Sequence, residues 1–118
     1  MKQYPFSRKY RLNQQQDFQQ LLTGNQKQVT PWWVVWFKKN EGDCARLGII
    51  ISKRNIATAV RRNILKRLVR ESFRHHPAML GTLDIVMMVR RAASKISKTQ
   101  LRVELEQQWT RLNALHKS

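Results

Sequence analysis

Residues 59–74 read AVRRNILKRLVRESFR and hold six Lys or Arg against a single acid, Glu71. Helices usually mix signs on their wet face, because like charges at i,i+4 repel. At about 100° per residue, Val60, Ile64, Leu65, Leu68 and Val69 fall in one half of the helical wheel. Arg62, Asn63, Lys66, Arg67, Arg70 and Arg74 fall in the other half. Arg61 sits on the apolar side near the start, where its long stem can carry the charge outward. The pattern predicts a helix over 57–75, ended near Pro77, with one face for a sheet and one for something anionic.

The flanking stretches supply the sheet. WWVVWFKK after Pro31 is rich in β-branched and aromatic residues and predicts a strand. RLGIIIS, from Arg46 to Ser52, predicts a second strand with a doubly buried centre. The short NEGDC turn between them predicts a hairpin. A third strand is expected over 83–90 and a short extra one over 26–30. Strand alternation puts Trp32, Val34 and Trp36 on one side and Trp33, Val35 and Phe37 on the other. Both sides are apolar, so one is expected under a helix and the other in a cleft.

Two more helices complete the pattern. Asn13 and Gln16 resemble a capping box before Phe18, Leu21 and Leu22, and Gly24 is a natural stop, so 13–23 reads as a short helix. Ser97 is a cap for a last helix with Leu101, Leu105, Trp109 and Leu112 as its inner stripe. The expected class is α/β, in the order helix, strand, strand, helix, strand, helix, with helices packed on a small mixed sheet. Residues 1–118 are read as one RNA-binding domain with a basic, flexible arm over 1–11 that carries Arg8, Lys9 and Arg11.

Charge decides the functional class. The chain has 23 Lys plus Arg against 7 Asp plus Glu, a formal net charge of +16. Such a surface normally meets a polyanion. At 42% hydrophobic with four Trp, the chain is not a disordered basic tail. MKQYPFSRKYRLNQQQ has no apolar h-region, so no signal peptide is expected. The longest apolar run, WWVVWF, is six residues, against the ~20 that a spanning helix needs. An interfacial helix would need its apolar face free for lipid, and here that face is the natural cover for the strands. The lone Cys44 allows no internal disulfide and fits a reducing, cytoplasmic setting.

Chemistry of the chain's own is not evident. Asp17, Glu41, Asp43, Glu71, Asp84, Glu104 and Glu106 are scattered over different elements, and Glu104 and Glu106 point to different sides of a helix. Adjacent His75 and His76 diverge on a helix. No phosphate-binding Gly loop, nucleophile motif or metal cluster is seen, so no cofactor is expected on the protein. Lys53 and Arg54 lie where a strand passes into the basic helix, a place where backbone N–H groups also favour anions.

The order of residues narrows the class further. Ala59, Arg62, Asn63, Lys66, Arg67, Arg70 and Glu71 match A-x-x-R-N-x-x-K-R-x-x-R-E, and Arg11 to Phe18 match R-L-x-x-x-x-D-F. On these motifs the chain resembles the bacterial ribonuclease P protein subunit over essentially its whole length. It departs at Ile64, where many members carry a second Arg.

The resemblance implies a two-layer α/β sandwich like the second domain of ribosomal protein S5, with a left-handed β-α-β crossover. It implies a cofactor role in an endoribonuclease whose catalyst is RNA. That RNA removes the 5′ leader of precursor tRNA with Mg²⁺ bound through the RNA. The implied partners are one ribonuclease P RNA per protein and the precursor tRNA, with no obligate protein partner and no membrane. By position, Arg62, Asn63, Lys66, Arg67, Arg70 and Arg74 would bind the RNA subunit. Phe18 and Trp36 would wall a leader cleft rimmed by Lys53, Arg54 and Arg62. A structural rRNA-binding protein is the alternative, and it needs no cleft for a mobile single strand.

Overall fold

The structure is a computed structural model that describes residues 26–40, 42, 44–76 and 83–117. The helix expected over 13–23 with Phe18, and the arm with Arg8, Lys9 and Arg11, lie outside the described residues. The described chain runs β1 (Lys27–Val29), β2 (Trp33–Lys39), β3 (Arg46–Ile50), α1 (Ala59–Arg74), β4 (Leu83–Val89), a 3₁₀ turn (Arg91–Lys95) and α2 (Lys98–Lys117).

The four strands form one sheet in the order β1-β2-β4-β3. β1 pairs antiparallel with β2, β2 antiparallel with β4, and β3 parallel with β4. The expected hairpin of 33–39 with 46–50 therefore does not form, because β4 inserts between the two strands. LDIVMMV is the most continuously apolar strand, with only Met88 less than fully buried. A strand buried on both faces gains most from the centre of a sheet, where both backbone edges are paired. The pair that could have closed locally is splayed to admit it.

Asn40, Arg46 and Asp84 hold the splayed end. Asp84 is 2% exposed. It accepts from Arg46 Nε at 2.9 Å and Nη2 at 2.7 Å, and from Asn40 Nδ2 at 2.8 Å. Asn40 Nδ2 also reaches the Cys44 carbonyl at 3.1 Å, and Asn40 Oδ1 accepts from Gly42 N at 2.8 Å. The turn between β2 and β3 is thus pinned to the start of β4 by a buried carboxylate. The fork of Arg46 meets Asp84 at two points, the strong form of this bond.

The core lies on one face of the sheet. Trp33, Val35 and Phe37 of β2, Ile85 and Met87 of β4 and Leu47 of β3 point into it. Leu65, Leu68, Val69 and Phe73 of α1 and Leu101, Leu105, Trp109 and Leu112 of α2 close over them. The inner stripe expected for the last helix is present in full, and Ser97 caps it by accepting from Gln100 N at 3.1 Å. Two buried indoles find acceptors, as the low dielectric demands. Trp33 Nε1 donates to Gln108 Oε1 at 3.0 Å and Trp109 Nε1 to Ser72 Oγ at 2.7 Å.

Alternation along β2 puts Val34 and Trp36 on the opposite, outer face. There Trp36 lies level with Val86 and Gly48, and Val34 with Met88 and Ile50. Val86 is buried, with Trp36 and Ile50 packed around it. Trp32 does not join them. It precedes the strand and packs on the main core. Thr30 Oγ1 accepts from both Trp32 N and Trp33 N and turns the chain just before β2, so the alternation does not extend back to Trp32.

Candidate nucleic-acid interface

The basic helix starts with its own cap. Thr58 is extended, and its Oγ1 accepts from Arg61 N at 3.3 Å. Its buried residues are Leu65, Leu68, Val69 and Phe73. These four centre the apolar face differently from the wheel drawn on sequence, because Phe73 docks edge-on against Trp109 at 5.7 Å between centroids. Val60, expected on the sheet side, is 71% exposed. With this centre, Asn63, Arg67, Arg70 and Arg74 face away from the core, and Lys66 flanks them. Asn63, Lys66, Arg67, Arg70, Glu71 and Arg74 line one shallow groove. Glu71 reaches Arg74 at 4.0 Å. Arg74 in the last turn also complements the helix dipole.

Arg62 differs from the rest of its row. It falls near the seam with the sheet, and its Nη1 donates to the carbonyls of Ile56 at 2.8 Å and Ala57 at 2.9 Å. Arg62 thus fastens the loop that enters the helix. Arg61 reaches outward, as its position suggested, and donates to the Ser94 carbonyl at 2.9 Å.

That loop carries Lys53 and Arg54, both exposed. Ser52 folds it: Ile56 N donates to the Ser52 carbonyl at 3.0 Å and Asn55 N to Ser52 Oγ at 3.2 Å. Ile56 is buried, Asn55 Nδ2 reaches the Val89 carbonyl at 3.4 Å, and Arg91 Nη2 reaches the Arg54 carbonyl at 3.3 Å. Lys53 and Arg54 are therefore the tip of an anchored turn. Arg90, Arg91 and Lys95 add to the same end of the sheet, where the parallel strands β3 and β4 both finish. Sequence reading passed over these three, although the dipeptide Arg90–Arg91 after an apolar strand was a visible signal.

Trp36 is half-buried on the outer face. Unlike Trp33 and Trp109, its indole N–H has no hydrogen-bond partner among the described residues. Among the described residues, no group of three or more His, Cys, Asp or Glu could hold a metal ion. No helix among them is long and apolar enough to cross a membrane. The structure thus joins Asn63, Lys66, Arg67, Arg70 and Arg74 on one face. Trp36, with Lys53 and Arg54, belongs to the sheet and its C-terminal end.

A family model for ribonuclease P matches residues 6–113. The chain belongs to the ribonuclease P protein family. It is 37% identical over 108 residues to the ribonuclease P protein component of Thioalkalivibrio sulfidiphilus, covering 92% of this chain and 90% of that one. It is 36% identical over 113 residues to that of a Marinomonas species, covering 95% and 86%. Two solved structures share the fold. The Staphylococcus aureus RNase P protein matches with a TM-score of 0.78 at 33% identity, over 83% of this chain and 90% of that one. The Thermotoga maritima RNase P protein matches with a TM-score of 0.74 at 32% identity, over 86% and 96%. The α/β class and the family motifs on α1 thus point the same way. The family supplies the protein component of an endoribonuclease, ribonuclease P.

Proposed function

We propose that this chain binds the catalytic RNA of ribonuclease P through α1 and holds the 5′ leader of precursor tRNA on the outer face of the sheet. Catalysis belongs to the RNA, with the Mg²⁺ it binds, and the protein supplies contacts and charge. The observation that carries the proposal is the separation of two surfaces on one scaffold. Asn63, Lys66, Arg67, Arg70 and Arg74 form a strongly basic helical face in which Glu71 is the one acid. Trp36, whose indole N–H has no hydrogen-bond partner among the described residues, lies on the sheet face opposite α1 and α2, with Lys53 and Arg54 at the end of that sheet.

A leader is single-stranded and varies in sequence. Holding it calls for stacking and phosphate contact, not base-edge readout, and each stacked base is worth about 1–3 kcal/mol. Trp36 offers the π-face and Lys53 and Arg54 the charge. Phe18 is assigned to the same role by family position alone.

The test is binding by the reconstituted ribonucleoprotein. Trp36→Ala should weaken precursor tRNA about 5- to 150-fold and spare mature tRNA. Equal weakening of both RNAs would refute a leader site on this face. A structural rRNA binder would show no preference for the precursor at all.

A further inference from the structure

The outer face of the sheet extends one strand beyond Trp36. In β1, Lys27 is in register with Trp36 and Val29 with Val34. The bonds Phe37 N to Gln26 O at 3.2 Å and Thr30 N to Trp33 O at 2.9 Å mark the hydrogen-bonded pairs of this ladder. The Lys27–Trp36 and Val29–Val34 pairs therefore fall between them. In non-hydrogen-bonded antiparallel pairs the Cα atoms approach to about 4.5 Å and the side chains stand closest. Lys27 is exposed and makes no hydrogen bond or ion pair among the described residues. Its neighbour Gln28 points to the other face, toward buried Gln108.

We infer that Lys27 and Trp36 form one nucleotide subsite, with a leader base stacked on the indole and the adjoining phosphate on the Lys27 ammonium. The inference rests on the leader-binding role proposed above. Three features point to a single strand as the occupant. The ring belongs to a residue that packs on buried Val86 and is itself half-buried, which leaves part of it open to a base. A cation stands directly across the ladder from it, and no acid of the described residues pairs with that cation. Lys53 and Arg54 lie toward the opposite end of the same sheet, so charge brackets an apolar floor of Trp36, Val86 and Ile50. A flexible lysine suits this position, because it accepts a phosphate without fixing the base. It widens the set of leaders that can bind and adds an electrostatic term that salt screens.

The test uses the reconstituted ribonucleoprotein and precursor tRNAs with a leader of one nucleotide or of about ten. Lys27→Ala should weaken the long-leader precursor about two- to fivefold, as an exposed charge contact does. It should lower the salt slope of that binding by about 0.7, the value for one single-strand phosphate. The one-nucleotide precursor should bind as before. Lys27→Glu should weaken the long-leader precursor further. Both variants change an exposed edge residue and should melt like the parent. Lys98→Ala, a matched loss of charge at the start of α2, should leave the long-to-short ratio intact. An unchanged ratio in Lys27→Ala, with the parent still preferring the long leader, would overturn the Lys27 subsite alone. If the parent shows no leader preference, the leader-binding role itself falls, and the subsite with it.

Discussion

Single residues on α1 divide into those fastened to the fold and those left exposed, although they look alike in sequence. Arg62 and Arg67 are both part of the family motif, yet Arg62 is fastened to two loop carbonyls and Arg67 is exposed. Arg62→Ala should therefore cost about 1 kcal/mol of stability, read as a lower urea midpoint with an unchanged slope. Arg67→Ala should melt like the parent and instead lower the salt slope for the RNA subunit by about 0.7–0.9. Asp84 is a third kind. Removing it takes away the buried carboxylate that accepts from Arg46 and Asn40. Asp84→Ala should cost about 2–3 kcal/mol, below the usual range for a broken buried pair because Arg46 is partly solvated. Urea unfolding would show it. The i,i+4 row was legible in sequence, but the turn of Arg62 onto the Ile56 and Ala57 carbonyls was not. That contact depends on how the entering loop closes.

At the scale of elements, most boundaries could be read and one pairing could not. The alternation of β2, the doubly buried run of β4, the stripe of α2 and its Ser97 cap all follow from local periodicity, which survives folding unchanged. The hairpin was misplaced because nearness in sequence favours local closure. The insertion of β4 is decided by burial from a distant segment. The wheel puts Val60 on the sheet side because it carries no information about the neighbouring helix, against which Phe73 docks edge-on at Trp109. Lys27 gave little signal, since a three-residue edge strand carries almost no period. The seam between the two helices is polar at Ser72, which accepts from Trp109 and donates to Glu106 at 2.9 Å, while His76 Nε2 also meets Glu106 at 2.9 Å. Ser72→Ala would leave a buried indole N–H without an acceptor. It should cost about 1–3 kcal/mol, checked by thermal melting, without changing RNA affinity at temperatures where the variant is folded.

Across the whole molecule the governing quantity is the net charge of +16. Self-repulsion opposes the compact state, and added salt screens it. The free protein should therefore gain stability as salt rises, whereas its complex with RNA should weaken, because releasing the RNA's condensed counterions gains less entropy in a concentrated salt solution. Melting and binding followed over one salt series would show opposite signs. The same charge should lower the Mg²⁺ that the RNA needs, since both offset phosphate repulsion.

The most direct measurement is cleavage of a precursor tRNA at low Mg²⁺ by the protein alone, by its cognate ribonuclease P RNA alone, and by the two together. A cofactor that binds the RNA and the leader predicts efficient cleavage only in the mixture and none by the protein. Cleavage by the RNA that is the same with and without the protein would contradict it.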